Sequence, residues 1–430
     1  MGYPHTCPWR ARDYIYGDGD LTFVNSGEGS KMVTADGGSF AKFFGSFTYV
    51  PGETFISAVR FALPNGTLDI PEGRTNTIGQ MNYVSQPAPA PSPRLGRVRG
   101  GSLVFQGPWE DAAETKEVFI GRDADETFSF GTITFKPYVN GSQIQNVPQH
   151  APPTGVTKVG SDTWRIVESN NYIRGAFTVR KGTVLVAANS PGLVAGKDDY
   201  GFAKYNGALG NNNVYVGDGT RDSITRQRRL PGEGDGEAKL LTDAAVTVGN
   251  DIRFGDTDYP VTVGGNSAEP SEFKGKVFVS RAVNLYAEAG DVTFSGEVSG
   301  TGAVTKTGPG KVILTNASAL NVGGIAGGEL QLAGDAGIAV TFVVTPAALT
   351  AGNVSVKASG DIAIAEGAVL DLSGIDFATL DKRRYVLAQA TGAVTGSFAQ
   401  IVGLDKDWHV VVSAHGIRLA PVSGYVIYIR

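Results

Sequence analysis

A glycine that leads a short run of alternating apolar residues recurs along this chain and restricts the folds it can adopt. The pattern stands at residues 66–70, 101–105, 182–186, 310–314, 328–332 and 367–372. Glycine permits a positive φ at a corner, and apolar residues at alternate positions then point to one side of a strand. Because such a strand buries one side only, its repetition predicts stacked strands around a continuous core.

The rest of the sequence also favours an all-β fold. Glycine supplies 59 of the 430 residues, roughly twice its usual share of ~7%, and apolar residues rarely recur at the helical spacing of three and four. The stretches 111–118 and 376–380 are the helix candidates, each a turn or two long. Asn-Gly and Asp-Gly hairpin turns are scarce between strand-like runs, which favours a β-solenoid over the alternative, a β-sandwich.

Three regions follow from the spacing of the predicted strands. Residues 1–160 are predicted to be irregular and β-rich, with exposed proline-rich loops at 86–93 and 147–153. Residues 161–420 are predicted to form the β-solenoid, in coils of roughly 20 to 25 residues with two or three short strands each. Residues 421–430 are predicted to form a terminal strand that caps the stack or serves in assembly.

Composition and charge exclude several classes of protein. The net charge of −5 argues against a nucleic-acid binder, since such a surface needs a basic excess. No apolar run approaches the ~18 residues of a membrane-spanning helix. One cysteine, Cys7, and four scattered histidines provide neither an intrachain disulfide nor a zinc cluster; the histidines are His5, His150, His409 and His415. No serine-nucleophile motif accompanies them, so no catalytic residue and no enzymatic activity are predicted.

One stretch carries a more specific pattern, with glycine, valine or leucine, and lysine in a fixed order. The residues in that order are Gly300, Gly302, Val304, Lys306, Gly308, Gly310, Val312 and Leu314. This order resembles the passenger-associated β-strand repeat of bacterial autotransporters. The resemblance implies an exported bacterial protein whose repeats form a right-handed parallel β-helix, usually displayed at the cell surface. A looser likeness covers residues 240–420, with 377–419 similar to closing coils, and no translocating β-barrel follows Leu419.

Two polar segments contain residues that active sites or metal sites use. The stretch 217–229 holds aspartates together with Arg226, Arg228 and Arg229. Its flanking glycine, proline and charge indicate a solvated loop, with a partner or processing site and a catalytic site as alternatives. The turns 17–20 and 217–219 place carboxylates beside glycine, and Ca²⁺ is the ion they would hold. Turn chemistry explains both without a metal, so no cofactor is predicted.

The last residues have high β propensity and follow a proline at the point where the coils are expected to end. They are Tyr425, Val426, Ile427, Tyr428 and Ile429. An open end of a stack exposes unpaired backbone, so this segment is predicted to cap its own chain or to add to a neighbouring copy.

These patterns predict an exported bacterial surface or extracellular protein with a structural or adhesive role. The expected partner is another copy of the chain, in a fibre joined through the termini, and a surface glycan is the other partner considered. Two alternatives stay open. A polysaccharide-acting β-helix enzyme, a lyase or glycosidase, predicts a groove where several acidic residues converge. A stalk that displays residues 1–160 as a binding region is the second. The N-terminus has no signal-peptide pattern, so the expected form is the mature chain.

Overall fold

In this computed structural model, the residues that the structure describes lie mainly in short strands and the turns between them. It describes residues 62–78, 94–106, 117–136, 155–173, 175–192, 207–210, 212–217, 236–255, 257–317, 320–349 and 353–422, together with 9–10, 16–17, 19–24, 33–34, 42–43, 46–50, 139–140, 143–144, 194–197 and 203–204. Within these ranges the helical elements are short 3-10 turns, Pro346–Ala348 and Phe377–Thr379, and no helix there is long and apolar enough to cross a bilayer. The turn at Phe377–Thr379 lies in one predicted helical stretch, 376–380. The described part of the other, 111–118, belongs to a strand.

The strands are short, and most have two to five residues. The first group is β1 Trp9–Arg10, β2 Tyr16–Gly17, β3 Leu21–Val24, β4 Val33–Thr34, β5 Lys42–Phe43, β6 Ser46–Val50, β7 Ala62–Ile78, β8 Arg94–Gln106, β9 Glu117–Ile120, β10 Thr127–Phe128, β11 Ile133–Lys136, β12 Val139–Asn140, β13 Gln143–Ile144, β14 Gly155–Lys158, β15 Thr163–Ile166, β16 Phe177–Val179, β17 Gly182–Val186, β18 Val194–Lys197, β19 Ala203–Lys204, β20 Val214–Val216 and β21 Ala238–Thr242. The second group is β22 Thr247–Val248, β23 Ile252–Phe254, β24 Val261–Gly265, β25 Ser271–Phe273, β26 Val277–Phe278, β27 Val283–Ala287, β28 Val292–Phe294, β29 Val298–Ser299, β30 Ala303–Thr307, β31 Lys311–Leu314, β32 Leu320–Ala326, β33 Glu329–Leu332, β34 Ala336–Val344, β35 Val354–Ala358, β36 Ile362–Ile364, β37 Val369–Asp371, β38 Tyr385–Ala390, β39 Val394–Thr395, β40 Gln400–Val402, β41 Trp408–Ser413 and β42 Gly416–Pro421.

The chain divides into two units. The first consists of Met1–Leu240, Val248–Asp251 and Gly255–Tyr259, and the second of Leu241–Thr247, Ile252–Phe254 and Pro260–Arg430. In the first unit, one parallel series runs β3-β6-β7-β8-β9-β14-β16-β20 and another runs β10-β15-β17. Aromatic rings fill part of its core: Trp164 is 2% exposed, and its ring centroid lies 5.1 Å from that of Phe130 and 5.5 Å from that of Phe177.

The second unit contains three parallel series of strands. They run β24-β27-β30-β32-β34-β36-β39, β25-β28-β31-β33-β35-β38 and β23-β26-β29. From β24 to β29 the chain adds one strand to each series before it returns to the first. In either unit, we call one passage of the chain that ends where it returns to the same series a coil. From β30 to β35 the chain alternates between two of the series. Each strand therefore pairs in parallel with one about 20 residues away, as Val292 does with Val312.

Alternation along each strand builds the core of the second unit. On β31 the residues Val312 and Leu314 are 0% exposed, and Ile313 between them is half-buried. Val312 pairs in register with Leu330, and Leu314 with Leu332, so inward side chains stack into ladders. Full burial of one such side chain stabilises the fold by about 1.5–3 kcal/mol. The prediction of an all-β fold with stacked parallel strands is confirmed.

The end of the closing stretch 377–419 departs from the parallel pattern, which β38, β39 and β40 still follow in their pairing with earlier strands. Strand β42 pairs antiparallel with both β38 and β41, and a two-residue turn at 414–415 joins β41 to β42. Pairing with β42 covers the backbone edge of β38 that a further parallel strand would otherwise occupy. The stretch that resembles closing coils therefore ends in a hairpin.

Candidate functional site

The eight residues of the repeat motif meet around strand β30. Gly300 follows β29, Gly302 precedes β30, and Gly308 and Gly310 lie between β30 and β31. Four motif side chains point inward and are 0% exposed: Val304, Lys306, Val312 and Leu314. The backbone of the preceding coil lies close to the motif glycines, and a Cβ added at Gly302 would stand 2.0 Å from the Arg281 carbonyl oxygen. The motif therefore forms one tightly packed corner.

Lys306 stands in a ladder that is otherwise apolar. It pairs in register with Leu285 on β27 and with Ile325 on β32, and Leu285 pairs in turn with Val263. All three neighbours in the ladder are 0% exposed. A primary amine thus occupies a place that aliphatic side chains fill in the other strands, and burial of a charge at such a place is costly unless hydrogen bonds satisfy it.

Backbone oxygens satisfy the amine of Lys306. Its Nζ donates to the carbonyl of Thr307 at 2.7 Å, to that of Gly308 at 2.7 Å and to that of Gly327 at 3.2 Å. Burial lowers the pKa of Lys306 to about 8 from the ordinary value of 10.5. The amine therefore links the corner after β30 to the next coil.

Two glycines make this contact geometrically feasible. Gly308 has a φ of +77°, which turns the chain so that its carbonyl faces the amine. Gly328, in the next coil, covers the amine: a Cβ added there would lie 2.7 Å from Lys306 Nζ and 2.0 Å from the Gly310 oxygen. We call this arrangement a lysine corner, meaning a Lys-x-Gly turn whose amine bonds to the next two carbonyls.

A second lysine corner occurs in the first unit. Lys158, also 0% exposed, lies between Ile120 and Val179 in the parallel register of β9, β14 and β16. Its Nζ donates to the carbonyl of Val159 at 2.7 Å and to that of Gly160 at 2.9 Å. The φ of Gly160 is +75°, close to that of the glycine in the first corner.

The next strand closes the second corner in the same way. Lys158 Nζ lies 3.4 Å from the Lys181 carbonyl, and a Cβ added at Gly182 would stand 3.0 Å from that amine. The same three elements are therefore present in both units: a buried amine, a glycine with positive φ, and a glycine of the following coil above the amine.

The corner at Lys158 adds a carboxylate. Asp162 Oδ1 lies 2.6 Å from Lys158 Nζ, and both side chains are 0% exposed. Burial raises the pKa of Asp162 and lowers the pKa of Lys158, while the charge of each partner opposes the shift of the other. The backbone N–H of Arg122 donates to the second oxygen of Asp162 at 3.1 Å. Every strong polar group of the pair thus has a partner.

Sequence reasoning identified Lys306 as a motif residue but missed Lys158. The signal was present, because 156–160 and 304–308 share the order Val-Thr-Lys-x-Gly. Lysine is usually exposed, so the burial of these two lysines was not predicted.

An open groove of ≈ 410 Å³ is a second candidate site, in the first unit. Glu72 and Glu168 lie in its lining together with Thr75, Ser102 and Ser129. The hydroxyl of Ser102 is already engaged, since it accepts the N–H of Thr132 at 3.0 Å. The lining of the groove therefore contains two carboxylates and, besides Ser102, the hydroxyl groups of Thr75 and Ser129.

Other predicted residues are dispersed or lie outside the described residues. His409 is an exposed residue of β41, and His415 lies in the turn after it, with Nδ1 2.5 Å from the Gly392 oxygen. Within the described ranges, no group of three or more His, Cys, Asp or Glu residues is placed to hold a metal ion. The structure does not describe His5, Cys7, Asp18, His150, Arg226, Arg228, Arg229 or the predicted assembly residues 425–429.

Comparison with known protein families, with curated proteins and with solved structures found no match.

Proposed function

We propose that this chain is an exported bacterial surface or extracellular protein with a structural or adhesive role. Its stacked strands form a right-handed parallel β-helix of the passenger-repeat type, and copies of the chain assemble into fibres through their ends. The observation that carries the proposal is the lysine corner at Lys306, the charged position of the repeat motif. Its amine donates hydrogen bonds to carbonyls of the fold itself, those of Thr307, Gly308 and Gly327.

The second lysine corner supports the same role. Lys158 and Asp162 neutralise each other inside the first unit at 2.6 Å. In both units the buried groups link neighbouring coils, which suits a structural role.

Electron microscopy of the purified protein tests the proposal. Rods that join end to end into fibres are the expected result, and compact particles at every concentration would contradict it. Protease treatment of intact source cells tests the location, because a surface protein is digested while a cytosolic marker survives.

The groove supports a second candidate, glycan binding or polysaccharide cleavage. Two carboxylates on one surface are the groups that glycosidases use as acid and as base or nucleophile, and Glu72 and Glu168 line one groove. A polysaccharide array followed by reducing-sugar assays tests this candidate. Glycan binding or cleavage that Glu72→Gln and Glu168→Gln both abolish is the expected result, and unchanged activity in both variants would exclude the groove.

A further inference from the structure

Strand β41 is the last strand of its sheet in the part of the chain that the structure describes. The strand order there ends β38-β42-β41. Its six residues pair with β42 on one side, from Trp408 opposite Pro421 to Ser413 opposite Gly416. Val411 and Val412 on this strand are 37% and 38% exposed, and Val422 beside it is 55% exposed. A long apolar edge strand of this kind is a template for pairing with another strand.

The register shows which backbone groups of β41 face outward. Hydrogen-bonded and non-hydrogen-bonded pairs alternate along an antiparallel ladder. Pro421 has no N–H and stands opposite Trp408, so this pair is of the non-hydrogen-bonded kind. By alternation, Val410 and Val412 belong to the same kind and direct their N–H and C=O groups to the free edge.

The chain itself contains a segment that suits this edge. Residues 425–429 are Tyr-Val-Ile-Tyr-Ile, five uncharged residues of high β propensity, against the six residues of β41. Arg430 follows the segment, and Asp405 and Asp407 precede β41, so the flanking charges are complementary.

Chain length argues against pairing within one molecule. The Val422 N–H still bonds to the Asp407 carbonyl, at 2.7 Å, beside the start of β41. Only Ser423 and Gly424 separate Val422 from Tyr425, and these three steps span at most about 10 Å. The free edge lies two strand spacings from β42, about 9.6 Å. The three steps therefore leave no spare chain length with which the segment could pass around the residues that precede Trp408.

We propose that residues 425–429 of a second copy add to the free edge of β41 as an intermolecular strand. The inference rests on the proposed self-assembly and names the two surfaces that make the contact. Because donor and acceptor differ, the contact is head-to-tail, and its repetition builds an open filament.

Two variants separate the donor from the acceptor. A chain that lacks residues 423–430 keeps the edge but has no donor strand. Val410→Pro keeps the donor but removes an outward N–H, and it leaves the ladder to β42 intact because that N–H does not serve it. Val410→Thr is the matched control, since it retains the N–H and the β-branched shape.

Sedimentation velocity gives the readout for each variant alone and for their mixture. The expected result is large assemblies for the parent chain and for Val410→Thr, monomers for each test variant, and a one-to-one dimer for the mixture. Fibres that persist in Val410→Pro would overturn the named contact and leave self-assembly standing. A parent chain that stays monomeric at all concentrations would overturn both.

A peptide of residues 424–430 keeps the test decisive if Val410→Pro does not fold. Added to the chain that lacks 423–430, the peptide should slow hydrogen exchange at the amides of Val410 and Val412. Unchanged exchange at a saturating peptide concentration would refute the proposal.

Discussion

Lys306 lies opposite Leu285 of the neighbouring strand, so an amine takes the place that an aliphatic side chain fills one coil earlier. Three carbonyl oxygens replace the water that the amine loses on burial. Lys158 in the first unit does the same between Ile120 and Val179. Four consequences of these contacts and of the core around them are open to measurement.

Stability of the second unit should depend on pH through Lys306. Burial lowers the pKa of Lys306 to about 8 from 10.5. Between these values the unfolded chain holds a proton that the folded chain releases, so the contribution of Lys306 to stability rises with pH, and below about pH 8 it is constant. The gap corresponds to about 3 kcal/mol.

Urea unfolding of the parent chain and of Lys306→Met at pH 7.5 and pH 10 measures this effect. Methionine keeps a similar volume and removes the amine. The difference in unfolding free energy between the two proteins should shift by about 2.4 kcal/mol in favour of the parent at the higher pH, because the two pH values cover most but not all of the gap between the folded and unfolded pKa values. A difference that does not change with pH would contradict the expected protonation.

Removal of the carboxylate at the other lysine corner should be costly. Asp162→Asn leaves the Lys158 ammonium buried without its counter-charge, and breaking a buried pair costs about 3–5 kcal/mol. Asp123→Asn is the control, because Asp123 lies at the same 2.6 Å from Lys181 but is 52% exposed. The control should lose at most about 1 kcal/mol. Equal losses in urea unfolding would show that burial of the pair is unimportant.

The glycine above the Lys306 amine should tolerate no side chain. Gly328 has a φ of +62°, and Gly367, which has a φ of +73° and nothing within 4 Å of an added Cβ, is the matched control. Both alanine variants carry the cost of positive φ, about 1–2 kcal/mol. Gly328→Ala also forces a Cβ against the Gly310 oxygen, so it should lose about 2 kcal/mol more. Thermal unfolding of the pair checks this, and equal melting temperatures would refute the close approach.

Aromatic stacking in the core should dominate the local stability of β25 and β28. The rings of Phe273 and Phe294 are parallel within 9°, with centroids 4.7 Å apart, and both are nearly fully buried. Phe294→Ala should cost about 3–5 kcal/mol through lost burial and a cavity. Phe278→Ala, at a ring 53% exposed, should cost under about 1 kcal/mol. Urea unfolding distinguishes the two, and similar costs would place Phe294 outside the core.

The inward positions could be predicted from alternation, but the burial of the charged ones could not. Val304 and Lys306 stand two residues apart on β30, so the strand period puts them on one side. The preference of lysine for solvent conflicts with that period. The conflict is resolved by the carbonyls of Thr307 and Gly308 in the adjoining turn and of Gly327 in the following coil, and no local pattern gives the position of the last.

The antiparallel pairing of β41 and β42 at the end of the sheet could not be predicted from the sequence pattern either. The turn that joins β41 to β42 is Ala414-His415, which has neither the Asn nor the Gly that marks a two-residue hairpin. The groove was missed for a related reason. Glu72 and Glu168 are 96 residues apart in the sequence, and only the folded chain places both in the lining of one groove.

Each coil from β24 to β29 pairs with the coil before it and the coil after it through strands of the same series. Duplication or loss of one complete coil would therefore preserve the pairing of its neighbours and alter only the number of layers. An insertion of a single residue within a strand would instead turn every following inward side chain of that strand toward solvent. The length of the second unit can therefore change through gain or loss of whole coils, each about 5 Å thick.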